Sequence, residues 1–242
     1  MSMKFEIQTF ETLPSTNSYL TELTKKNAKP WTVIYAKNQT NGKGYAGNVW
    51  KVEKEQNLTF SFYLKTSLDF RELIFLNEWI TVTLAQFLSR YLTDIHVKWP
   101  NDIIASDKKI CGILTESYKS NQAMHSIIGI GLNVNQIDFN AMPRASSLKL
   151  LTDKTFDLET LLHDLMTAFC EQYNVIDNGN FLEIHEAYQA KLYKKNEWAD
   201  FVVDGVQCKG CIKKSDEQGQ LWVAFEDGNI RAFQHKEIQL IY

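Results

Sequence analysis

The sequence predicts an α+β protein that ends in a small β-barrel, and three patterns support this prediction. Short apolar stretches with strand-like alternation recur through the first half of the chain. Longer stretches with apolar residues at helical spacing lie between and after them. From Trp198 onward, short strands are separated by hairpin signals, which are Asp204-Gly205, Glu217-Gln218-Gly219 and Asp227-Gly228. We therefore predict one domain over residues 1–195 and a small SH3-like barrel over residues 196–242.

The individual elements follow from local spacing and from candidate capping residues. Ser15 is a candidate N-cap, because Leu20 and Leu23 follow it at helical spacing. Asp69 and Asp157 are candidate caps of two later helices. The predicted helices are one after Ser15 and those at 70–92, 157–176 and 181–192. The predicted strands are 4–10, 32–36, 57–65, 97–99, 103–105, 110–114, 126–134 and the short ones after Trp198.

Composition and charge exclude several functional classes. The 242 residues are 44% hydrophobic and 23% charged, which is typical of a soluble globular protein. A formal net charge of −3 gives no electrostatic footprint for sequence-independent nucleic-acid binding. No apolar run approaches the length of a membrane span, and the N-terminus lacks the apolar region of a signal peptide. We therefore expect a cytoplasmic protein that binds neither nucleic acid nor membrane.

Two of the four cysteines, Cys208 and Cys211, form a C-x-x-C pattern near the C-terminus. A zinc site would need a second ligand pair, and no other residues are spaced to supply it. A thioredoxin-like site would need the motif to open a helix, whereas this stretch has the character of a strand. We therefore expect both cysteines to be structural.

The stretch 97–116 places several polar groups on short strands. Lys98 lies between apolar neighbours, and the strand ends at Pro100, which lacks a backbone donor. Asn101 and Asp102 are predicted to lie in the turn that follows, and Lys109 at the start of the third strand. A rigid hairpin can hold two cations, an amide and a carboxylate in fixed geometry. The alternative is a surface hairpin whose charges are merely solvated.

Three further patterns each have a structural explanation beside a functional one. Ser15-Thr16-Asn17 at a helix start is also what a plain helix cap requires. The glycine-rich stretch 37–50 can approach a ligand closely, but it can equally be a mobile surface loop. It matches neither a Walker A loop nor a dinucleotide-binding fingerprint. Gly129 and Gly131 on a buried strand make room either for a ligand or for a packed helix.

Taken together and in this order, these patterns resemble the motifs of biotin–protein ligases. The shared motifs are Ser15-Thr16-Asn17, a glycine-rich loop with Gln39 and Trp50, Lys98-Trp-Pro-Asn-Asp102, Lys109-Ile-Cys-Gly-Ile-Leu114 and Gly129-Ile-Gly-Leu-Asn133. The resemblance implies a mixed β-sheet catalytic domain with helices packed on it, followed by the SH3-like barrel. It also suggests the monofunctional type without an N-terminal DNA-binding domain, because the first predicted catalytic strand lies close to residue 1.

The resemblance implies a two-step reaction and a set of site residues. Biotin's carboxylate would attack the α-phosphate of ATP, and a carrier lysine would then attack biotinoyl-AMP. Catalytic roles fall to Lys109, Asp102 and Lys43, and Asp102 is also a candidate for Mg²⁺ held through the phosphates. Implied biotin contacts are Ser15, Thr16, Asn17, Gln39, Gly42, Lys43, Gly44, Lys109, Gly112, Leu114 and Gly129. Implied ATP or adenylate contacts are Lys43, Tyr45, Trp50, Asn101, Gly131 and Asn133.

The glycine-rich loop departs from the usual family pattern, which contains several arginines. Lys43 replaces the first arginine, and the other arginines are replaced by Tyr45, Ala46 and Asn48. Because fewer cations face the phosphate, we expect a looser grip on the adenylate than an arginine-rich loop gives.

The resemblance implies a biotin carboxyl carrier protein or domain as the partner. Some relatives form homodimers through their sheet edges, so a homodimer is also a candidate state for this protein. Two other functions also remain open. A lipoate or octanoate ligase would share the catalytic fold, and a non-catalytic relative would bind biotin or the adenylate without turnover.

Overall fold

The computed structural model describes residues 4–44, 47–50, 53–140 and 142–241. In these ranges the chain forms two sheets and five α-helices. The first sheet contains β1 (Glu6–Phe10), β2 (Thr32–Ala36), β3 (Asn57–Thr66), β4 (Ile95–Lys98), β5 (Asp102–Ala105), β6 (Lys108–Ser120) and β7 (Ala123–Asn133). The helices are α1 (Thr16–Thr24), α2 (Leu73–Leu88), α3 (Leu148–Thr152), α4 (Leu158–Asp177) and α5 (Phe181–Lys191).

The first sheet is mixed, as the resemblance implies. Its strand order is β1-β2-β3-β7-β6-β5-β4. Only the β1–β2 pair is parallel, and all the other neighbours are antiparallel. The two longest strands, β6 and β7, therefore lie near the middle of the sheet and carry the lysine and glycine motifs side by side.

Strand alternation divides the side chains of this sheet between two apolar layers. On one face, Val33 and Phe62 join the main core with α2, α4 and α5, and the Phe62 ring lies 5.1 Å from that of Phe169 in α4. On the other face, Ile34 packs against Leu20 of α1. Helix α1 is thus alone among the described helices of eight or more residues in packing on that face, which leaves room beside its N-terminus.

The second sheet lies at the C-terminal end, where the short strands were predicted. It contains β8 (Trp198–Val203), β9 (Val206–Ser215), β10 (Leu221–Phe225), β11 (Ile230–Phe233) and β12 (Ile238–Ile241) in the order β11-β10-β9-β8-β12. All of its pairs are antiparallel, in keeping with an SH3-like barrel. Its apolar cluster also includes Ile104 of β5, which is fully buried, so the two sheets share a hydrophobic contact.

Helix α2 is shorter than the predicted helix at 70–92, and its predicted cap was wrong. Asp69 Oδ1 accepts hydrogen bonds from the backbone N–H groups of Arg71 and Glu72 at 2.8 and 3.1 Å. These bonds stabilise a separate turn before the helix, which begins at Leu73 without a side-chain cap. A capping residue and a turn residue look alike in sequence, because both use a short side chain to accept a nearby N–H.

The central hairpin also differs from the prediction. Asp102 is not in the turn but is the first residue of β5, opposite Lys98. Strand β6 continues well beyond Leu114, and a two-residue turn at Asn121 and Gln122 joins it to β7. Both turn residues have positive φ, 48° and 61°. The sequence has no glycine at this turn, so the usual hairpin signal is missing.

A buried polar chain links α2, α5 and the second sheet. The Nδ1 atom of His185 lies 3.0 Å from both carboxylate oxygens of Glu78, which is fully buried. On its other side, His185 Nε2 lies 3.3 Å from the Gln189 amide, which donates to the carbonyl of Ser215. Burial raises the pKa of Glu78 to about 7, although His185 acts in the opposite direction.

No helix in the described residues is long and apolar enough to span a membrane.

The raised pKa of Glu78 should make the stability of the protein depend on pH. Since its pKa rises from 4.5 to about 7 on folding, its contribution is full below pH 4.5 and is lost as the pH rises through 7. The free energy of unfolding of Glu78→Gln, measured in urea at several pH values, should therefore fall less than that of the wild type over this range. Glu183→Gln, an exposed change on α5, is the control and should follow the wild type. Parallel curves for Glu78→Gln and the wild type would contradict the prediction.

Candidate functional site

A cavity of about 240 Å³ opens between the N-terminus of α1, the glycine-rich stretch and the hairpin of β4, β5 and β6. Fourteen predicted site residues line it, namely Ser15, Thr16, Asn17, Gln39, Lys43, Gly44, Trp50, Asn101, Asp102, Lys109, Gly112, Leu114, Gly129 and Gly131. Residues from distant parts of the chain therefore meet at one place, as expected for a binding site.

One end of the cavity is a network of neutral polar groups at the start of α1. Ser15 caps the helix by accepting the N–H of Ser18, while Thr16 and Asn17 are buried. The Ser61 hydroxyl donates to Asn17 Oδ1 at 2.6 Å and lies 2.7 Å from the Thr16 hydroxyl. The capping role and the role in the cavity thus belong to neighbouring residues, so the two explanations of this motif are compatible.

Further hydrogen bonds fix the orientation of this network. The amide of Asn17 donates to Glu116 Oε2 at 2.8 Å, and the Thr16 N–H donates to Gln39 Oε1 at 2.8 Å. The Asn17 amide has a partner on its oxygen and another on its nitrogen, so it cannot flip by 180° without losing these hydrogen bonds. Its orientation is therefore set before any ligand arrives.

The two glycines of β7 make room for side chains of this chain. A Cβ at Gly129 would lie 2.2 Å from Asn17 Oδ1, and one at Gly131 would lie 2.3 Å from Cε2 of Trp50. Gly112, opposite Gly131 in β6, also faces the Trp50 ring. The packing explanation is therefore correct for Gly129, because Asn17 belongs to α1. The same clearance lets Asn17 and Trp50 form the walls of the cavity.

The opposite end of the cavity is charged, and a β-bulge creates the key pair. Along β5, Asp102 lies opposite Gly112. Two residues further, Ile104 lies opposite Lys109, so β6 contains one extra residue, Ile110. Side chains alternate along a strand, and the bulge therefore turns Lys109 onto the face that carries Asp102. Lys109 Nζ lies 2.7 Å from Asp102 Oδ1.

Two further lysines line the cavity, Lys98 beside this pair and Lys43 beside Glu116. Lys98 lies opposite Asp102 in the β4–β5 pairing, and burial lowers the pKa of Lys98 while the nearby carboxylate raises it. Lys43 is about half exposed and lies 3.9 Å from Glu116. Of the three lysines that line the cavity, Lys98 and Lys109 therefore lie beside Asp102, which is the one carboxylate among the described lining residues.

Asn101 is held rigidly between the strands. Its amide donates to the carbonyl of Ile113 at 2.6 Å. The preceding carbonyl, that of Pro100, accepts hydrogen bonds from Asn77 of α2 at 3.1 Å and Tyr188 of α5 at 2.9 Å. Two helices behind the sheet thus fix the segment that carries Asn101 and Asp102.

Three predicted site residues are not placed in the cavity wall. Gly42 packs against the backbone of Trp50, where a Cβ would lie 2.5 Å from its carbonyl oxygen. The buried Asn133 amide donates to the carbonyl of Ser146 at 2.9 Å, which gives it a structural partner. Tyr45 lies outside the described residues, as does Ala46.

Several residues at the site were missed in the sequence analysis. Lys98 was recognised as one of the two cations of the hairpin, but it was given no role at the site. Ser61 stands in an otherwise apolar strand, and Glu116 follows the lysine motif in a stretch without other signals. His235 reaches the cavity from the second sheet, and nothing in the local sequence around it indicates this.

The described residues include no group of three or more His, Cys, Asp or Glu side chains that could hold a metal ion. Asp102 offers a single carboxylate, and one of its oxygens is paired with Lys109. A divalent cation at this site would therefore take most of its ligands from the phosphates of a bound nucleotide.

The order of these motifs and the shape of the sheet agree with known proteins. The model of the biotin/lipoate A/B protein ligase family matches residues 9–133, just over half of the chain. The chain belongs to this family. The bifunctional ligase/repressor BirA of Bacillus subtilis is 31% identical over 172 residues, which are 67% of this chain and 52% of that protein. The human biotin–protein ligase is 26% identical over 219 residues, 81% of this chain and 30% of its own length.

A solved structure from the same family matches almost the whole chain. The biotin protein ligase of Aquifex aeolicus in complex with biotin and ATP has a TM-score of 0.80 and 26% identity, covering 97% of this chain and 98% of that one. The chain spans about half the length of the BirA protein. The predicted mixed sheet with helices packed on it is confirmed, and the second, antiparallel sheet is consistent with the predicted SH3-like barrel.

Gly131→Ala should displace the Trp50 indole, since the new Cβ would overlap its ring. We expect a loss of about 1–3 kcal/mol in stability from overpacking. In ¹⁹F NMR of protein labelled with 5-fluorotryptophan, the Trp50 resonance, assigned with Trp50→Phe, should shift while the other tryptophans stay near their positions.

Gly112→Ala is the matched comparison for this experiment, because its Cβ would lie 3.2 Å from the same ring. Its effect on the Trp50 resonance should be smaller. An unshifted Trp50 resonance in Gly131→Ala would show that the ring does not lie against Gly131.

Proposed function

We propose that this protein attaches biotin to a lysine of a biotin carboxyl carrier protein or domain, with biotinoyl-5'-AMP as the intermediate. The observation that carries this proposal is the polarity of the cavity. The hydroxyl and amide groups of Thr16, Asn17 and Ser61 meet at one end, where Glu116 is balanced by Lys43, and Lys98 and Lys109 outnumber the single carboxylate at the other end. Biotin has the same arrangement, with a neutral urea at one end and a carboxylate at the other. Membership of the family and the likeness to a ligase that binds biotin and ATP support the proposal.

The neutral end suits the ureido ring of biotin. A urea has two N–H donors and one carbonyl acceptor and carries no charge. A charged side chain facing it would lose its hydration without gaining an opposite charge in return. The hydroxyls of Thr16 and Ser61 and the amide of Asn17 are neutral and already oriented. We infer that Ser15, Gln39 and Gly129 support this arrangement rather than supply charge.

The first step joins two anions, so it requires positive charge between them. An oxygen of biotin's carboxylate forms a bond to the α-phosphorus of ATP, and the bond from that phosphorus to the bridging oxygen breaks, releasing pyrophosphate. Lys109 is our candidate for the cation between the carboxylate and the α-phosphate, and Lys43 supports it from the glycine-rich stretch. Mg²⁺, when bound, would neutralise phosphate charge, with Asp102 as the one described cavity carboxylate near it.

Trp50 supports a nucleotide beside this point. Its indole N–H is buried and has no acceptor among the described residues. A buried donor without a partner is costly, and a ligand oxygen would remove that cost. The flat ring next to Gly131 also offers an aromatic surface of the kind on which bases stack. We infer adenylate contacts by Trp50 and Asn101, while Tyr45 and Asn133 stay predictions.

The second step needs a neutral amine as nucleophile. The carrier lysine attacks the carbonyl carbon of the mixed anhydride, the bond to the phosphate oxygen breaks, and AMP leaves. Asp102 is our candidate to orient the amine and accept its proton. Its second oxygen, not used in the 2.7 Å contact with Lys109, is the group that would do so.

The edge of β6 beyond Ile113 is a candidate docking site for the carrier or for a second copy of the chain. In the described residues, β6 beyond Ile113 pairs with β7 only, so its other edge has no strand partner among them. Such an edge can accept another strand. A homodimer, a cytoplasmic location and the lack of nucleic-acid or membrane partners stay predictions.

The proposal is tested by ATP–pyrophosphate exchange with biotin, lipoate and octanoate added separately. Of these three acids, only biotin should support exchange. Exchange with lipoate or octanoate instead would assign the protein to the other branch of the family. Biotin binding without exchange would show a non-catalytic binder.

Lys109→Ala should lower biotin-dependent exchange by about a hundredfold or more, because a charge that stabilises the transition state is lost. Lys108→Ala is the matched control, since the Lys108 ammonium donates to the carbonyl of Pro143 and does not line the cavity. It should retain exchange close to the wild type. A loss below tenfold in Lys109→Ala would overturn the assigned role.

A further inference from the structure

Glu116 of β6 lies next to the cavity but is not among the described residues that line it. Its Oε2 atom accepts a hydrogen bond from the Asn17 amide at 2.8 Å. Its other oxygen, Oε1, lies 3.9 Å from the Lys43 ammonium. The two contacts use different oxygens, so the pairing with Lys43 leaves the bond to Asn17 intact.

The carboxylate of Glu116 fixes the direction of this hydrogen bond, because an ionised carboxylate accepts and has no hydrogen to donate. The nitrogen of the Asn17 amide therefore faces Glu116. The carbonyl of Leu114, at 3.3 Å, is a second and more distant acceptor for the same nitrogen. The oxygen of the amide consequently faces β3, where it lies 2.6 Å from the Ser61 hydroxyl.

The same direction continues through two hydroxyl groups. An amide oxygen cannot donate, so the single hydroxyl hydrogen of Ser61 lies between Ser61 and Asn17. The hydroxyl oxygens of Thr16 and Ser61 are 2.7 Å apart, a separation that requires a hydrogen between them. That hydrogen has to come from Thr16. The chain of donors therefore runs from Thr16 through Ser61 and Asn17, and it ends at Glu116.

This direction decides what Thr16 offers to a ligand. Its hydroxyl hydrogen points to Ser61, so its oxygen is left as an acceptor. Gln39 Oε1 lies 3.2 Å from this oxygen and accepts the backbone N–H of Thr16 at 2.8 Å. Two acceptor oxygens of residues that line the cavity are thus neighbours with no hydrogen between them. Such a pair favours an N–H donor on the ligand and disfavours an acceptor there.

We propose that Glu116 is a positioning residue that sets the direction of this hydrogen-bond chain, so that Thr16 and Gln39 select a ligand with an N–H donor. This inference rests on the proposed function, in which the donor is an N–H group of biotin's ureido ring. Glu116 acts without touching the ligand. When its acceptor is removed, the Asn17 amide can flip and the chain can run in the opposite direction, which would turn the Thr16 hydroxyl into a donor.

The test compares biotin with two cyclic carbamate analogues, in which one or the other ring N–H is replaced by an oxygen atom. Dissociation constants are measured by calorimetry with the whole chain. In the wild type, at least one analogue should bind about a hundredfold more weakly than biotin, because a site built around a hydrogen bond rejects a ligand that lacks the donor. We call this ratio of dissociation constants the donor discrimination.

Two substitutions of similar size separate the acceptor from the bulk of the side chain. Glu116→Met removes the acceptor, and Glu116→Gln keeps one in the form of an amide oxygen. In Glu116→Met the donor discrimination should fall to about tenfold or less, since the chain is no longer held in one direction. In Glu116→Gln it should stay within about threefold of the wild type, because the terminal acceptor is retained.

Glu22→Met is the matched control. Glu22 lies on the exposed side of α1 and pairs with Lys25 at 2.6 Å, away from the hydrogen-bond chain. The control makes the same chemical change as Glu116→Met on an element that contributes to the cavity. It should leave the donor discrimination at the wild-type value.

Three results would overturn the role of Glu116. The first is wild-type donor discrimination in Glu116→Met. The second is an equal loss of affinity for biotin and both analogues in Glu116→Met, since the side chain would then act on the fold alone. The third is a loss of discrimination in Glu116→Gln as large as in Glu116→Met, because the charge beside Lys43 would then be responsible.

Failure of the proposed function gives a different result. If the wild type binds no biotin in calorimetry, the proposed function is wrong, and the role of Glu116 is wrong with it. If the wild type binds biotin and both analogues equally well, biotin binding stands and only the selection of a donor is wrong.

Discussion

One extra residue in β6 decides which way its lysine faces. Without the bulge at Ile110, strict alternation would place Lys109 on the opposite face from Asp102. With it, the two side chains form an ion pair at 2.7 Å beside the cavity. The carboxylate and the lysine are thus brought together by strand register, and two helices behind the sheet fix the segment before Asp102 through the carbonyl of Pro100.

The walls of the cavity depend on a second constraint, the absence of side chains along β7. Asn17 and Trp50 come from different parts of the chain, and each occupies the space that a Cβ on this strand would fill. The polar network at the start of α1 is then satisfied entirely within the protein, through Ser61 and Glu116. A site whose polar groups are already paired and oriented loses little entropy when a ligand binds.

Much of this could be predicted from sequence, because local signals and shared motifs act over short distances. The cap at Ser15, the cap at Asp157 and the strands of the second sheet all follow from neighbouring residues. The length of β6 could not be predicted in this way, because the turn at Asn121 and Gln122 lacks the glycine that usually marks a hairpin turn. Contacts such as that of Ser61 with Asn17 depend on tertiary packing, which no local pattern reports.

The fully buried Ile104 bears on how separable the two parts of the chain are. Its side chain sits two residues from Asp102, yet it belongs to the apolar cluster of the second sheet. A chain truncated near residue 195 would expose this isoleucine to water on the very strand that carries the carboxylate. The two sheets are separate in strand pairing but share this hydrophobic contact, so the hairpin that carries Asp102 relies on a core that the last fifth of the polypeptide completes.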